Sequence, residues 1–183
     1  SAKQALLHTL LKDPAITRAL VFARTKHGAD RIVAKLEEQH IEAYAIHGNK
    51  RQGQREKALA AFRSGKARLL VATDIAARGI DVDNVSHVIN FDLPDVPEQY
   101  VHRIGRTARA GAGGIAISFC SPEETGQLRD IERLLKNKVP ATNEALRHER
   151  REAKPQGRPH KPHHRKEGGQ SRPQGEPPQG ERP

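Results

Sequence analysis

Residues 102–111 place three arginines, Arg103, Arg106 and Arg109, at intervals of three along the chain. On a helix, side chains spaced in this way lie roughly along one face, so the three guanidinium groups could converge on one polyanion. A triphosphate or a nucleic-acid backbone would match them, because arginine presents a planar fork of donors to phosphate. The alternative is a basic face turned to solvent, and this segment alone does not decide between the two.

Three further groups of polar residues, 24–26, 47–55 and 73–81, follow stretches that read as β-strands. Loops and helix amino termini meet at the carboxyl ends of parallel strands, where they bind phosphate. Each group supplies suitable chemistry: hydroxyl and N–H donors, cations, and glycines that permit close approach of a backbone. The donors and glycines concerned are Thr25, Gly48, Arg55, Thr73 and Gly79.

Each of these groups also has a simpler explanation. A glycine after a strand is commonly only a turn, and Gln52 with Arg55 could begin an exposed helix. Asp81 could be a turn residue as readily as a ligand. Only the joint order of the groups along the chain favours a functional site.

Short apolar, β-branched stretches alternate with segments of helical period, and this alternation predicts an α/β fold with a parallel sheet. Most of the stretches are almost continuously apolar, which predicts strands buried on both faces with helices packed above and below. The predicted strands are 19–23, 43–46, 68–72, 87–91 and 114–120.

Helical spacing of apolar residues predicts helices over 29–38 and 55–63. Asp95 is the predicted cap of a helix that leads into the arginine series. Ser121 begins a predicted capping box with proline at the first helical position, and that helix continues through Leu135.

Composition divides the chain into a predicted folded domain, 1–146, and a predicted disordered tail, 147–183. The tail has no aromatic residue, seven of the twelve prolines, and ten Lys and Arg against five Glu. Such a segment cannot bury enough apolar surface to offset its ordering entropy. The net charge of +10 favours a polyanionic partner. In the tail, His160, His163 and His164 have no acidic or thiol partners at ligand spacing, so no metal site is predicted.

The location of the protein is predicted from what the chain lacks. Cys120 is the only cysteine and ends an apolar stretch, so it reads as a small buried residue in a reducing, cytoplasmic setting. No apolar stretch approaches the roughly 18 residues of a membrane span, and no signal peptide pattern is present. We therefore expect a cytoplasmic protein without a membrane partner.

The joint order of these segments resembles the second, carboxy-terminal RecA-like domain of DEAD-box RNA helicases of superfamily 2, and in particular the bacterial RhlE-like group. The resemblance covers about residues 19–136. Residues 21–26 resemble motif IV, Gln52 and Arg55 resemble motif IVa, 77–81 with Thr73 resemble motif V, and 102–109 resemble motif VI. A glycine that is frequent in the family's motif VI is here Ala108, a change between small residues.

The resemblance implies roles for these residues. Arg106 and Arg109 would meet the γ-phosphate of ATP as arginine fingers, and His102 would couple to the acidic motif of a partner domain. Gly79 and Asp81 would belong to the nucleotide site, with Asp81 holding the ribose. The residues implied to contact RNA backbone are Arg24, Thr25, Gly48, Gln52, Arg55 and Thr73.

The sequence lacks the residues that would hold the triphosphate, Mg²⁺ and the attacking water. Its only Gly-Lys pair, Gly65-Lys66, has Ala60 where the first P-loop glycine belongs and Ala67 where the hydroxyl belongs. There is no Asp-Glu-Ala-Asp string. ATP and Mg²⁺ would therefore be bound mainly by an amino-terminal RecA-like domain, and we expect this chain alone to be inactive.

A second interpretation is a non-catalytic module whose own activity is non-specific RNA binding through the basic tail. A third, an unrelated α/β nucleotide-binding module, would require the arginines of 102–109 to be dispensable. Further partners suggested by the first interpretation are ribosomal or RNA-degradation assemblies.

Overall fold

The computed structural model describes residues 1–107 and 113–141. The chain divides into two units, Ser1–Val139 and Pro140–Pro183, and the description below concerns the first. Arg109, the predicted domain boundary at residue 146 and the predicted tail 147–183 lie outside the described residues.

A five-stranded parallel sheet forms the centre of the domain, in the order β2-β3-β1-β4-β5. The chain begins near the middle of the sheet, adds strands on one side and then crosses to the other, so its direction of winding reverses at β1. The predicted parallel α/β sheet is thereby confirmed. The strands are β1 (Ala19–Phe22), β2 (Ala43–Ile46), β3 (Leu69–Ala72), β4 (His87–Asn90) and β5 (Ile115–Ser118).

Helices cover both faces of this sheet, and successive strand residues point to opposite sides. Val21, Val71 and Ile89 belong to one core cluster, which the first two helices complete. Their neighbours Leu20, Leu70 and Val88 belong to a second cluster under the third and fourth helices. The helices are α1 (Ala2–Leu10), α2 (Lys26–Glu37), α3 (Gln52–Arg63), α4 (Asp74–Ala77), α5 (Pro97–Ile104) and α6 (Thr125–Leu135).

Burial on both faces holds for the three central strands and fails at the edges. Every residue of β1, β3 and β4 is buried. The two middle residues of β2 are only half-buried, and Ile115 in β5 is 53% exposed. The prediction is therefore wrong for β5, because an edge strand has a neighbour on one side only among the described residues.

Helices α2 and α3 begin at Lys26 and Gln52, three residues before their predicted starts, and the predicted cap of α5 is wrong. Residue Val96, not Asp95, is the amino-terminal cap of α5, and Pro97 is its first helical residue. The Asp95 carboxylate instead lies 3.7 Å from the Arg24 guanidinium. The predicted capping box at Ser121 is confirmed, although a 3₁₀ turn over Pro122–Glu124 precedes α6. Among the described residues, no helix is both long and apolar enough to cross a membrane.

Candidate functional site

The register of the sheet brings the predicted site segments to one edge. Phe22 is aligned with Ala72 on one side and Asn90 on the other, and Ile46 is aligned with Ala72. The groups that follow these last strand residues therefore emerge together at the carboxyl edge of the sheet. This edge carries Arg24 and Thr25 after β1, His47 and Gly48 after β2, and Thr73 after β3.

The loop after β1 holds its two predicted contact residues differently. Thr25 caps α2, with its Oγ1 accepting a hydrogen bond from the Gly28 N–H at 3.0 Å. Arg24 donates to the Glu124 carboxylate at 2.9 Å and to the Leu93 carbonyl at 3.2 Å. The charge of Arg24 is thus already matched within the domain, whereas the Thr25 O–H can still donate to a ligand.

The loop after β2 is open at its glycine. Apart from Gly48 itself and its two chain neighbours, no residue has an atom within 4 Å of the position that a Cβ on Gly48 would take. Gln52 opens α3 and donates to the Glu56 carboxylate at 3.0 Å, while Arg55 is half-buried one turn further on. A backbone could therefore approach Gly48 without displacing protein atoms.

The loop after β2 is bonded to α2 through Asp30. The Asp30 carboxylate lies 2.9 Å from both His47 Nε2 and Lys50 Nζ. Partial burial acts to raise the pKa of Asp30, but the hydrogen bonds from His47 and Lys50 outweigh it and lower that pKa below 3.8. The carboxylate is consequently charged at neutral pH.

The segment after β3 contributes a turn with a left-handed residue. Thr73 donates its N–H to the Ile46 carbonyl at 3.3 Å and precedes α4. Gly79 has a φ of +82°, a conformation that residues with a Cβ rarely adopt. Asp81 is exposed, and its backbone carbonyl accepts from Arg63 at 3.2 Å.

Arg103 does not face a ligand, which corrects the prediction of three arginines on one face. It is 1% exposed and forms a two-pronged ion pair with Asp74, at 2.6 and 2.7 Å. Its remaining donors bind the Asn90 side chain and the Asp92 carbonyl, and its guanidinium lies 4.9 Å from the centre of the Phe22 ring. Arg103 and Arg106 do not share one helix face, because α5 ends at Ile104, before Arg106.

Arg106 and His102 border an open cleft of about 430 Å³ between α4 and α5. Arg106 is half-buried and donates to the Ile80 carbonyl at 2.9 Å, which ties it to the turn after α4. Ile75, Arg78 and Gln99 also line the cleft. Arg78 lies in the segment that resembles motif V, whereas the sequence predicted no site role for Ile75 or Gln99. Ile75 is 82% exposed on α4. A sequence prediction of α4 would have identified it as an exposed apolar residue.

The cleft is lined by arginines, one aspartate and one histidine, together with the exposed Ile75. Within 1–107 and 113–141 there is no cluster of three His, Cys, Asp or Glu side chains that could hold a metal ion.

Comparison with known proteins gives consistent matches. Residues 2–111 match the helicase conserved C-terminal domain. The ATP-dependent RNA helicase RhlB of Pseudomonas syringae is 48% identical over 137 residues, which are 75% of this chain and 34% of that protein. The DEAD-box ATP-dependent RNA helicase CshA of Geobacillus kaustophilus is 46% identical, over 80% of this chain and 32% of that protein. The chain thus spans about a third of the length of these relatives.

Solved structures agree in fold and sequence. The Escherichia coli DEAD-box protein SrmB, in a complex with regulator of ribonuclease activity A, superposes with a TM-score of 0.72 at 42% identity, covering 75% of this chain and 81% of that one. A DEAD-box protein of Methanococcus jannaschii gives a TM-score of 0.69 at 44% identity, covering 75% of this chain and 38% of that one. This chain therefore belongs to the helicase conserved C-terminal domain family, in the form found in DEAD-box proteins.

Proposed function

We propose that this chain is the second RecA-like domain of a longer ATP-dependent RNA helicase. In that protein it supplies arginine fingers to ATP hydrolysis and half of a clamp on one RNA strand. The observation that carries the proposal is the cleft between α4 and α5, where Arg106 and His102 lie on a surface that also exposes Ile75. Such a surface suits a second domain that brings a nucleotide with it.

Arg106 is placed to act on a phosphate that arrives from outside the domain. Its bond to the Ile80 carbonyl orients the side chain without neutralising it, since a carbonyl carries no net charge. Phosphoryl transfer depends on positioning and on stabilising charge on the transferred group, and an arginine finger contributes about 10³ to 10⁵ in rate. Arg109 would be the second finger, by the family resemblance.

The nucleotide and its metal are assigned mainly to the other domain. ATP with Mg²⁺ supplies the phosphoryl group and its charge neutralisation there. On this chain, Gly79 and Asp81 lie in the turn that receives Arg106, which supports their assignment to the ribose side of the same site.

The proposed RNA contacts lie at the carboxyl edge of the sheet. Thr25, Gly48 and Thr73 present hydroxyl and backbone groups there, and Gln52 with Arg55 follows on α3. Contacts of this kind go to phosphates and 2′-hydroxyls, so we expect little base specificity and a preference for RNA over DNA. A strand held in this way would be separated from its complement when the domains close.

The proposal is tested by Arg106→Ala and Arg109→Ala in the longer protein, with Arg129→Ala on α6 as the matched control. Each finger variant should lower RNA-stimulated ATP hydrolysis at least about a hundredfold while RNA binding is largely retained. Arg129→Ala should leave both properties unchanged. A loss below about threefold in the finger variants would reject the arginine-finger assignment.

Cytoplasmic location, membership of the RhlE-like group, and association with ribosomal or RNA-degradation assemblies stay predictions. The SrmB structure contains a protein regulator of ribonuclease activity, which favours a search for protein partners of this chain.

A further inference from the structure

Lys50 is a cation at the carboxyl edge of the sheet that none of the motifs includes. It lies between Gly48 and Gln52 in the loop after β2, and its side chain is 28% exposed. Its backbone N–H bonds the His47 carbonyl at 3.0 Å, which closes the turn. Lys50 is therefore two residues from each of two proposed RNA contacts, Gly48 in this loop and Gln52 at the start of α3.

The charge of Lys50 is neutralised by Asp30. The two groups are 2.9 Å apart, and the Asp30 side chain is itself 45% exposed. An ion pair this accessible to solvent contributes little to stability, because water and salt screen it. A phosphate could displace the carboxylate at small cost.

Asp30 has a second contact, to His47, that an uncharged acceptor could also make. His47 Nδ1 accepts the Asn49 N–H at 3.3 Å, so the neutral ring carries its proton on Nε2 and donates it to Asp30 Oδ1 at 2.9 Å. Asparagine at position 30 could still accept this hydrogen bond. The loop shape and the charge of Asp30 can therefore be separated by experiment.

We propose that Lys50 is a further contact to the RNA phosphate backbone, and that Asp30 holds it in place and competes with RNA for it. This inference rests on the proposed RNA clamp. A strand that binds here exchanges a carboxylate partner for a phosphate partner at Lys50. Asp30 thereby weakens RNA binding and favours release of the strand.

The test measures binding of a fluorescent single-stranded oligouridine to the longer protein, with a non-hydrolysable ATP analogue, over a series of potassium chloride concentrations. Asp30→Asn should raise the affinity up to about fivefold, since an exposed ion pair no longer has to be broken. It should also make the slope of log K against log salt steeper by up to about 0.7, the value for one phosphate of a single strand.

Two further variants isolate Lys50. Lys50→Gln should weaken binding, and adding Asp30→Asn to Lys50→Gln should give no gain in affinity beyond a control substitution. That control is Glu38→Gln, which removes one charge next to the same helix and breaks the exposed pair of Lys35 with Glu38, 2.7 Å apart. Glu38→Gln should leave affinity and slope close to those of the wild type.

The outcomes are distinguishable. If Asp30→Asn behaves like Glu38→Gln, or if Lys50→Gln binds like the wild type, the inference is wrong while the RNA clamp stands. If the wild type fails to bind the oligouridine, or if Arg55→Ala binds as well as the wild type, the proposed RNA surface itself fails. Thermal melting monitored by circular dichroism shows whether each variant is folded.

Discussion

Two arginines three residues apart, Arg103 and Arg106, have opposite environments. Arg103 is buried and its charge is matched by Asp74, whereas Arg106 is half-buried and, within the part of the chain that the structure describes, donates to the neutral Ile80 carbonyl. An arginine that already has a carboxylate partner cannot also serve a phosphate without breaking that pair. The guanidinium group of Arg106 can therefore bind a nucleotide phosphate, whereas that of Arg103 is already paired with a carboxylate.

At Gly48, a substitution should change the affinity for RNA without changing the stability of the fold. A Cβ on Gly48 would meet no residue other than its two chain neighbours within 4 Å. The φ of Gly48 is not in the left-handed region, so alanine can adopt the same backbone conformation. Gly48→Ala should therefore leave the free energy of unfolding nearly unchanged, yet lower affinity for single-stranded RNA by about threefold or more if a backbone packs there.

The matched control is Gly126→Ala in α6, where a Cβ also meets nothing within 4 Å. It should stabilise the helix by up to about 1 kcal/mol and leave RNA affinity alone. Urea unfolding and anisotropy titrations measure the two properties. Equal RNA affinity of Gly48→Ala and Gly126→Ala would contradict the assignment of Gly48.

Between elements, Arg103 joins α5 to α4 and to the end of β4. Its contacts run to Asp74 at the start of α4, to Asn90 in β4 and to the Asp92 carbonyl just beyond it. The ends of these elements carry the proposed nucleotide and RNA residues. Arg103 is thus a positioning residue that fixes α5, and with it His102 and Arg106, against α4.

Arg103→Lys should lower the free energy of unfolding by about 2 to 4 kcal/mol, because one ammonium group cannot replace the fork on Asp74 and the two further hydrogen bonds. Arg133→Lys is the control, since Arg133 pairs with Asp130 at 2.9 Å but is 78% exposed. That control should change stability by less than about 0.5 kcal/mol. Urea unfolding of this chain followed by circular dichroism measures both, and equal losses would contradict the structural role.

Sequence patterns predicted the sheet well because its strands are short, apolar and separated by helical spacing. All five strands were found to within about two residues at each end. Helix α4 escaped prediction because four residues are too few to show a period, and its omission hid the exposed Ile75. The pair between Arg103 and Asp74 was also missed, since the two residues are 29 apart in sequence and nothing local connects them.

The domain carries one half of each of two proposed sites, the nucleotide site and the RNA site. The cleft between α4 and α5 holds Arg106 and His102, and the carboxyl edge of the sheet holds the proposed RNA contacts. The sequence has neither a P-loop nor an Asp-Glu-Ala-Asp string to complete the first site. Closure of a second domain over both surfaces would couple ATP hydrolysis to the grip on RNA.

A direct comparison measures RNA-stimulated ATP hydrolysis by the 183-residue chain alone and by the longer protein under the same conditions. The chain alone should show no hydrolysis above background, because its arginines have no bound nucleotide to act on. The longer protein should show RNA-stimulated turnover. Turnover by the chain alone at a rate similar to that of the longer protein would contradict the claim that this domain holds only half of the catalytic site.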